Sequence, residues 1–210
     1  MPSSKATTSF ILVAALCAGL GLMLGQRMFA PQTGAPTVMA ATLLYPEPRP
    51  VAAFSLERSD GSRFTKDDLA GRWSVVFFGF TRCPDVCPTT LALWPQVEKA
   101  LAKSAPDAPV QFVFVSVDPE HDTPAQAGEY ARYFSPRIVA ATGDGAALDA
   151  LTRDLGVVYM KSPQGEDYTI DHTAHLVLLG PDATIRGIMR PPLDPNRIAA
   201  DLAQLAGGEK

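Results

Sequence analysis

The sequence predicts an α/β domain: a central mixed sheet with parallel strand pairs, flanked by helices. Three observations carry that prediction. Trp73 to Phe80 is an apolar run rich in Val and Phe, the pattern of a strand buried on both faces, and Val110 to Val117 reads as a second buried strand. Helical patterns alternate with strands through the middle of the chain. A hairpin pattern and one more helix close it, an order that places parallel strands under covering helices.

The elements follow in order. Lys5 is followed by no charge until Arg27, and the apolar heart runs from Phe10 to Gly25. That length suits a membrane-spanning helix, so residues 1–29 are expected to be an uncleaved N-terminal transmembrane anchor, with a long signal peptide as the alternative. Cys17 within it reads as a small apolar residue. A lipoprotein cysteine is the other reading, but Leu16 stands where such a site wants a small residue. Pro31, Pro36, Pro46, Pro48 and Pro50 make residues 30–52 read as an extended spacer. A single domain is expected over 53–207.

Phe54 to Leu56 and Arg63-Phe64 flank Ser59-Asp60-Gly61, a hairpin signal. After the strand at 73–80, Pro88 to Lys103 has a helical pattern that Pro95 should kink or interrupt. Thr123-Pro124 reads as an N-cap and first helical residue for a helix to about Phe134. Arg137 to Ala141 is a short strand, and Asp144 to Leu155 a helix stopped by Gly156. Val157 to Met160 is another short strand, and 161–171, with Pro163 and Gly165, reads as a mobile segment. Ala174 to Leu179 and Thr184 to Met189 flank the turn Gly180-Pro181-Asp182, and Asn196 to Leu205 is the closing helix.

Composition narrows the function. A chain of 210 residues with 47% hydrophobic residues has enough apolar content to build a core without disulfides. The formal net charge of −4 lacks the basic stripe of a nucleic-acid binder. Three cysteines are too few, and too unevenly placed, for a disulfide scaffold. Cys83 and Cys87 form the pair that matters. They follow a buried strand and precede a helix, where open α/β sheets gather their sites. A helix start favours thiolate, and Arg82 is a nearby cation. The three-residue gap lets both sulfurs face one small volume, to bridge or to clamp an ion. A plain stabilising disulfide closes too short a loop to gain much.

Two thiolates hold a soft monovalent ion, and a neutral imidazole improves the site and admits the divalent state. The histidines are His121, His172 and His175. His121 reads as a solvated loop residue. Strand alternation separates His172 from His175 and ranks His172 first. Structural zinc wants four ligands, so it needs both histidines, and alternation makes that hard. Copper, as Cu(I) or Cu(II), fits with three.

The chain resembles the Sco/SenC family. Phe78-Gly79-Phe80-Thr81 followed by Cys83-Pro84-Asp85-Val86-Cys87-Pro88 is similar to that family's cysteine motif. So are Val115 to Glu120 with Asp122-Thr123, and Asp171-His172-Thr173; Phe134-Ser135-Pro136 and Gly180-Pro181-Asp182 agree as well. The resemblance covers about residues 50 to 205. It implies a thioredoxin-like fold that binds copper through Cys83, Cys87 and His172. It also implies a role in assembling the binuclear copper centre of cytochrome c oxidase subunit II, by delivering copper or by reducing that centre's cysteines, with other copper chaperones as further partners. The expected location is membrane-anchored, with the domain in the bacterial periplasm or the mitochondrial intermembrane space. Two positions depart from the pattern: His121 stands where many members have Arg or Lys, and His175 where an apolar residue is usual.

Rival functions use the same sulfurs. In a thiol–disulfide oxidoreductase Cys83 and Cys87 are a redox pair, one attacking and one resolving. The absence of a proline at 171–173 speaks against a general enzyme of that kind. Val86-Cys87-Pro88-Thr89 echoes a peroxiredoxin nucleophile, but Pro84 replaces the threonine expected three residues earlier. A redox or copper sensor would need a signalling module, and the sequence offers none.

Overall fold

The structure is a computed structural model that describes residues 15–23, 37–165 and 167–208. The chain divides into two units, 1–34 and 35–210. In the first, the described residues form a helix over 15–23. The expected anchor at 1–29 falls largely outside the described residues. Among the described residues no helix is long and apolar enough to cross a membrane.

In chain order the strands of the second unit are β1 (Thr37–Val38), β2 (Thr42–Pro50), β3 (Ser55–Arg58), β4 (Arg63–Thr65), β5 (Trp73–Gly79), β6 (Val110–Ser116), β7 (Val139–Thr142), β8 (Tyr159–Gln164), β9 (Asp167–His172), β10 (Leu176–Leu179) and β11 (Thr184–Met189). The helices are α1 (Val86–Leu91), α2 (Trp94–Ser104), α3 (Pro124–Phe134), α4 (Gly145–Leu155) and α5 (Pro195–Gly208). A nine-stranded sheet runs β1-β2-β11-β10-β5-β6-β7-β3-β4, and β8 and β9 form a separate ribbon. β5, β6 and β7 are parallel, while β10, β11, β2 and β3 join antiparallel, so the sheet is mixed as expected.

The centre of the sheet is where the apolar runs place it. Every residue of β5 is buried, and β6 is buried from Gln111 onward. Phe77, Phe78, Phe112 and Phe114 have 2% exposure or less, and each contributes roughly 1.5–3 kcal/mol of burial energy. Trp94 of α2 stacks on Phe112 with ring centroids 4.5 Å apart. The register from Trp73↔Val110 to Gly79↔Ser116 brings the C-terminal ends of β5 and β6 side by side. The loops carrying the cysteines and Asp118 to His121 therefore leave the sheet as neighbours.

Local signals set the helix ends. The Thr123 hydroxyl accepts from the Gln126 amide while the Gln126 side chain reciprocates, a capping box that starts α3. Asp144 accepts from the Ala147 amide at 2.8 Å to start α4. Gly156 ends α4 at φ 70°, a left-handed conformation that costs glycine little. Pro95 does interrupt the 88–103 pattern: α1 stops at Leu91, and α2 begins with Pro95 in its first turn.

Two expectations are corrected. The proline-rich spacer at 30–52 is not extended spacer throughout, because residues 42–50 form β2 and pair with β11. Ile185 lies opposite Arg49 and Gly187 opposite Leu44, so Pro46 and Pro48 fall in an irregular stretch of the ladder. Proline is tolerated there because no ladder amide is required of it. The second correction concerns 161–171. These residues are no plain loop: β8 and β9 pair in register from Tyr159↔His172 to Gln164↔Asp167, turning at Gly165 with φ 64°.

α5 fixes the start of the domain. Asp201, 2% exposed, accepts the backbone amides of Ala40, Ala41 and Thr42 at 3.0, 2.8 and 2.8 Å. Three charge-assisted bonds offset the burial of its carboxylate.

Candidate metal centre

The centre is assembled at the exit of β5. Phe80 continues the buried run, and the chain then turns so that the Cys83 amide bonds the Phe80 carbonyl at 3.3 Å. Asp122, 1% exposed, holds this turn from below. It accepts the Thr81 amide at 2.8 Å, the Thr81 hydroxyl, and the hydroxyl of Ser116 at the end of β6. A buried carboxylate with that many donors is fully satisfied and ties the cysteine loop to the sheet.

Cys87 is buried in the first turn of α1, and Cys83 is half-buried in the loop before it. The Cys87 amide donates to Cys83 Sγ at 3.4 Å. Gly79 supplies the space. A Cβ there would stand 2.6 Å from Cys87 Sγ and 3.2 Å from the rings of Phe77 and Phe114. The last residue of β5 is glycine because the sulfur packs directly on the strand.

His172, the last residue of β9, completes the cluster. Its Nε2 lies 3.4 Å from Cys87 Sγ, and its Nδ1 lies 3.2 Å from the Thr173 carbonyl. With the Nδ1 proton assigned to that carbonyl, Nε2 presents its lone pair to the sulfurs. Phe77 and Phe80 meet the ring edge-on at 5.7 and 6.1 Å and fix its plane. One donor atom from each of Cys83, Cys87 and His172 lies within 4.8 Å of the others. Metal bonds of about 2.3 Å to sulfur and about 2.0 Å to imidazole span comparable separations, so the set fits one ion. Among the described residues this is the single such cluster, and His175 is not part of it. The His175 Nε2 is buried without a hydrogen-bond partner among the described residues, and burial, reinforced by Arg190, pushes its pKa down.

The sulfurs are electrostatically unequal. The Cys87 thiol hydrogen-bonds Cys83, and with help from the Asp85 and Cys87 amides this pulls the Cys83 pKa down to about 5 against the opposing effect of burial. The same hydrogen bond, then burial, pushes Cys87 up. The pair thus shares one proton held on Cys87, leaving a half-exposed thiolate at Cys83.

A polar cluster stands beside the sulfurs. Asp118, fully buried, meets Arg82 at 3.3 Å, the Tyr168 hydroxyl at 2.5 Å and His121 Nδ1 at 3.1 Å. Burial pushes its carboxyl up, but the bonds from Tyr168, His121 and Arg82 outweigh that and hold it below the usual range. Arg82 also pairs with Asp167 at 2.5 Å. His121 is therefore no solvated loop residue: its Nδ1 also lies 2.8 Å from both Arg82 and the Tyr168 hydroxyl. Gly79 and Asp122 entered the sequence analysis only within the resemblance motifs, without a role, and Tyr168 not at all. Gly79 also left a local signal, as a glycine near the end of an otherwise bulky buried run.

The chain is similar to proteins already known. The SCO1/SenC family model matches residues 45–207. A protein of Stutzerimonas stutzeri is 34% identical over 172 residues, 81% of this chain and 84% of that protein. The human mitochondrial protein SCO1 homolog is 36% identical over 152 residues, 71% of this chain but 50% of that protein, so the chain spans half of that relative's length. The crystal structure of Arabidopsis thaliana ScoI with copper bound superposes with a TM-score of 0.70 at 32% identity, covering 75% of this chain and 98% of that one.

Proposed function

The chain belongs to the SCO1/SenC family, with its mixed-sheet thioredoxin-like fold, and we propose that it carries a copper ion as cargo between Cys83, Cys87 and His172. The observation that carries this reading is the convergence of two sulfurs and one imidazole nitrogen within 4.8 Å. Thiolates favour Cu(I), and the imidazole admits Cu(II). The task is assembly of cytochrome c oxidase: delivery of copper to the binuclear centre of subunit II, by stepwise exchange with that centre's cysteines. The N-terminal segment, residues 1–29, anchors the protein, and the domain, whose sheet includes β1 and β2, faces the periplasm.

A second reading is supported by the unequal sulfurs. The Cys83 thiolate attacks a partner disulfide, forming a mixed disulfide and releasing one partner thiolate. Cys87, losing its proton, then attacks Cys83 Sγ, so the partner leaves as a dithiol and Cys83–Cys87 becomes the disulfide. Two electrons pass to the partner, which prepares its cysteines for copper.

Titration of the reduced protein with Cu(I) against a competing chelator tests the first reading. One equivalent is expected to bind. The Cys83→Ser variant is expected to lose far more affinity than the roughly 10- to 100-fold typical of a supporting residue. Undiminished binding by that variant rejects the site.

A further inference from the structure

Among the described residues, the ribbon that carries His172 is not paired into the main sheet, and β8 and β9 pair only with each other. Its placement therefore rests on side chains and on its two ends. The base is closed where the Thr173 amide donates to the Val158 carbonyl at 2.9 Å and the Val158 amide donates to the Thr173 hydroxyl at 3.0 Å. Along β9, Tyr168, Ile170 and His172 fall at alternate positions and so share one face. Ile170 is 4% exposed and joins the core. His172 stands at the sulfurs. Tyr168 stands at the far end, and it has more partners than an ordinary surface tyrosine.

Its hydroxyl lies 2.5 Å from Asp118, 2.8 Å from His121 Nδ1 and 3.2 Å from Glu120, all on the loop that leaves β6. Its ring lies under two cations: the Arg82 guanidinium at 5.4 Å, from the cysteine loop, and the Lys161 ammonium at 4.3 Å, from β8. The His121 ring packs against it at 5.0 Å. The neighbouring Asp167 pairs with Arg82. One side chain thus gathers the ribbon, the cysteine loop and the loop after β6.

We propose that Tyr168 is a positioning residue for the metal centre: its hydroxyl, bonded to Asp118, latches the β8–β9 ribbon to the two loops at the sheet edge and so holds His172 over the sulfurs. With the latch closed, the imidazole is presented at a fixed distance. With it open, the ribbon frays from its tip towards the base, where His172 pairs with Tyr159, and the imidazole loses its fixed orientation while Cys83 and Cys87 stay on the sheet. The consequence for copper rests on the proposed ligand role of His172; the consequence for the ribbon does not.

The test uses the reduced, metal-free, full-length protein and its Tyr168→Phe variant, which keeps the ring and removes the hydroxyl. Amide hydrogen exchange is measured across the chain. A hydrogen bond to a buried charge is strong enough that exchange of the 159–164 and 167–172 amides should accelerate about ten- to a hundredfold, with β5 and β6 unchanged. Unchanged ribbon exchange overturns the latch. Uniform acceleration across the domain also overturns it, because Tyr168 would then be a general stabilising residue. Asp167→Asn, which leaves the hydroxyl in place, should accelerate the same amides by less; an effect equal to or above that of Tyr168→Phe moves the latch to the Arg82 ion pair and overturns the assignment. Cu(I) titration forms a separate arm, in which Tyr168→Phe should bind more weakly. If the unaltered protein binds no copper, the cargo reading fails while the exchange experiment still decides the latch.

Discussion

The metal centre is made by two regions built in opposite ways. The cysteine loop extends from β5, a strand buried over its whole length between two neighbours, and Asp122 ties it to β6 from beneath. Among the described residues the β8–β9 ribbon lies outside the main sheet, with the tip formed by the end of β8 and the start of β9 open to solvent. The sulfurs are therefore fixed by core packing, whereas the imidazole is held by the edges of Phe77 and Phe80, by Ile170 on the same strand face and by polar contacts at the ribbon's far end. Such a division suits a carrier. A cargo site needs donors that stay and at least one that leaves, because release by ligand exchange begins with the most weakly held bond.

The sharpest contrast lies within the cysteine loop, between its two sulfurs. Cys83 is half-exposed with its pKa lowered to about 5, while Cys87 is buried and its thiol is pushed up. Thiolate is the nucleophile, so above pH 5 Cys83 is the reactive sulfur and below it the reaction slows as the thiolate takes up a proton. Iodoacetamide is expected to alkylate Cys83 throughout pH 6–8 at a nearly constant rate, with Cys87 slower by orders of magnitude. Peptide mapping checks it. Equal labelling of both residues, or a rate at Cys83 that still climbs tenfold per pH unit at pH 7, removes the asymmetry.

His172 and Gly79 stand on opposite sides of this division. His172→Ala removes the ribbon's donor and leaves β5 untouched, so copper affinity should fall by more than the roughly 10- to 100-fold of a supporting residue, while the denaturant midpoint barely moves. Gly79→Ala does the reverse to the rigid side. Its Cβ would meet Cys87 Sγ at 2.6 Å, against a strand that has no room to yield. Overpacking of that kind costs about 1–3 kcal/mol, visible as a lower urea midpoint with unchanged slope. If both variants lose stability alike, the two regions are not independent.

The same contrast explains what could be read in advance. β5, β6 and the capped helices were legible because each signal is local: an apolar run, Thr123 before Pro124, Gly156 after Leu155. Cys83 and Cys87 were legible because a strand end and a helix start bracket them. His172 was ranked by alternation and named by resemblance, since nothing near it in the chain says which sulfur it faces. β2 was hidden under prolines that an irregular ladder accommodates, and its other anchor, Asp201, lies 159 residues from Thr42. The polar cluster was illegible for the same reason: Tyr168 and Asp118 are 50 residues apart, and only the parallel register of β5 and β6 brings the loops together.

The smallest expected effect marks the border between the regions. Lys161 of β8 reaches Glu120 at 2.5 Å and also lies over the Tyr168 ring, but its side chain and that of Glu120 are 39% and 63% exposed. An ion pair that open to water is screened and holds two long side chains in place for little net gain. Lys161→Gln should therefore change ribbon exchange by only about twofold, and that small change should vanish in high salt. The buried Asp118 contacts are not screened in this way, so the ribbon of the unaltered protein should stay protected at the same salt concentration. A ribbon that loosens with salt as much as it does on losing Lys161 would mean that surface charge, and not the buried carboxylate, holds His172 in place.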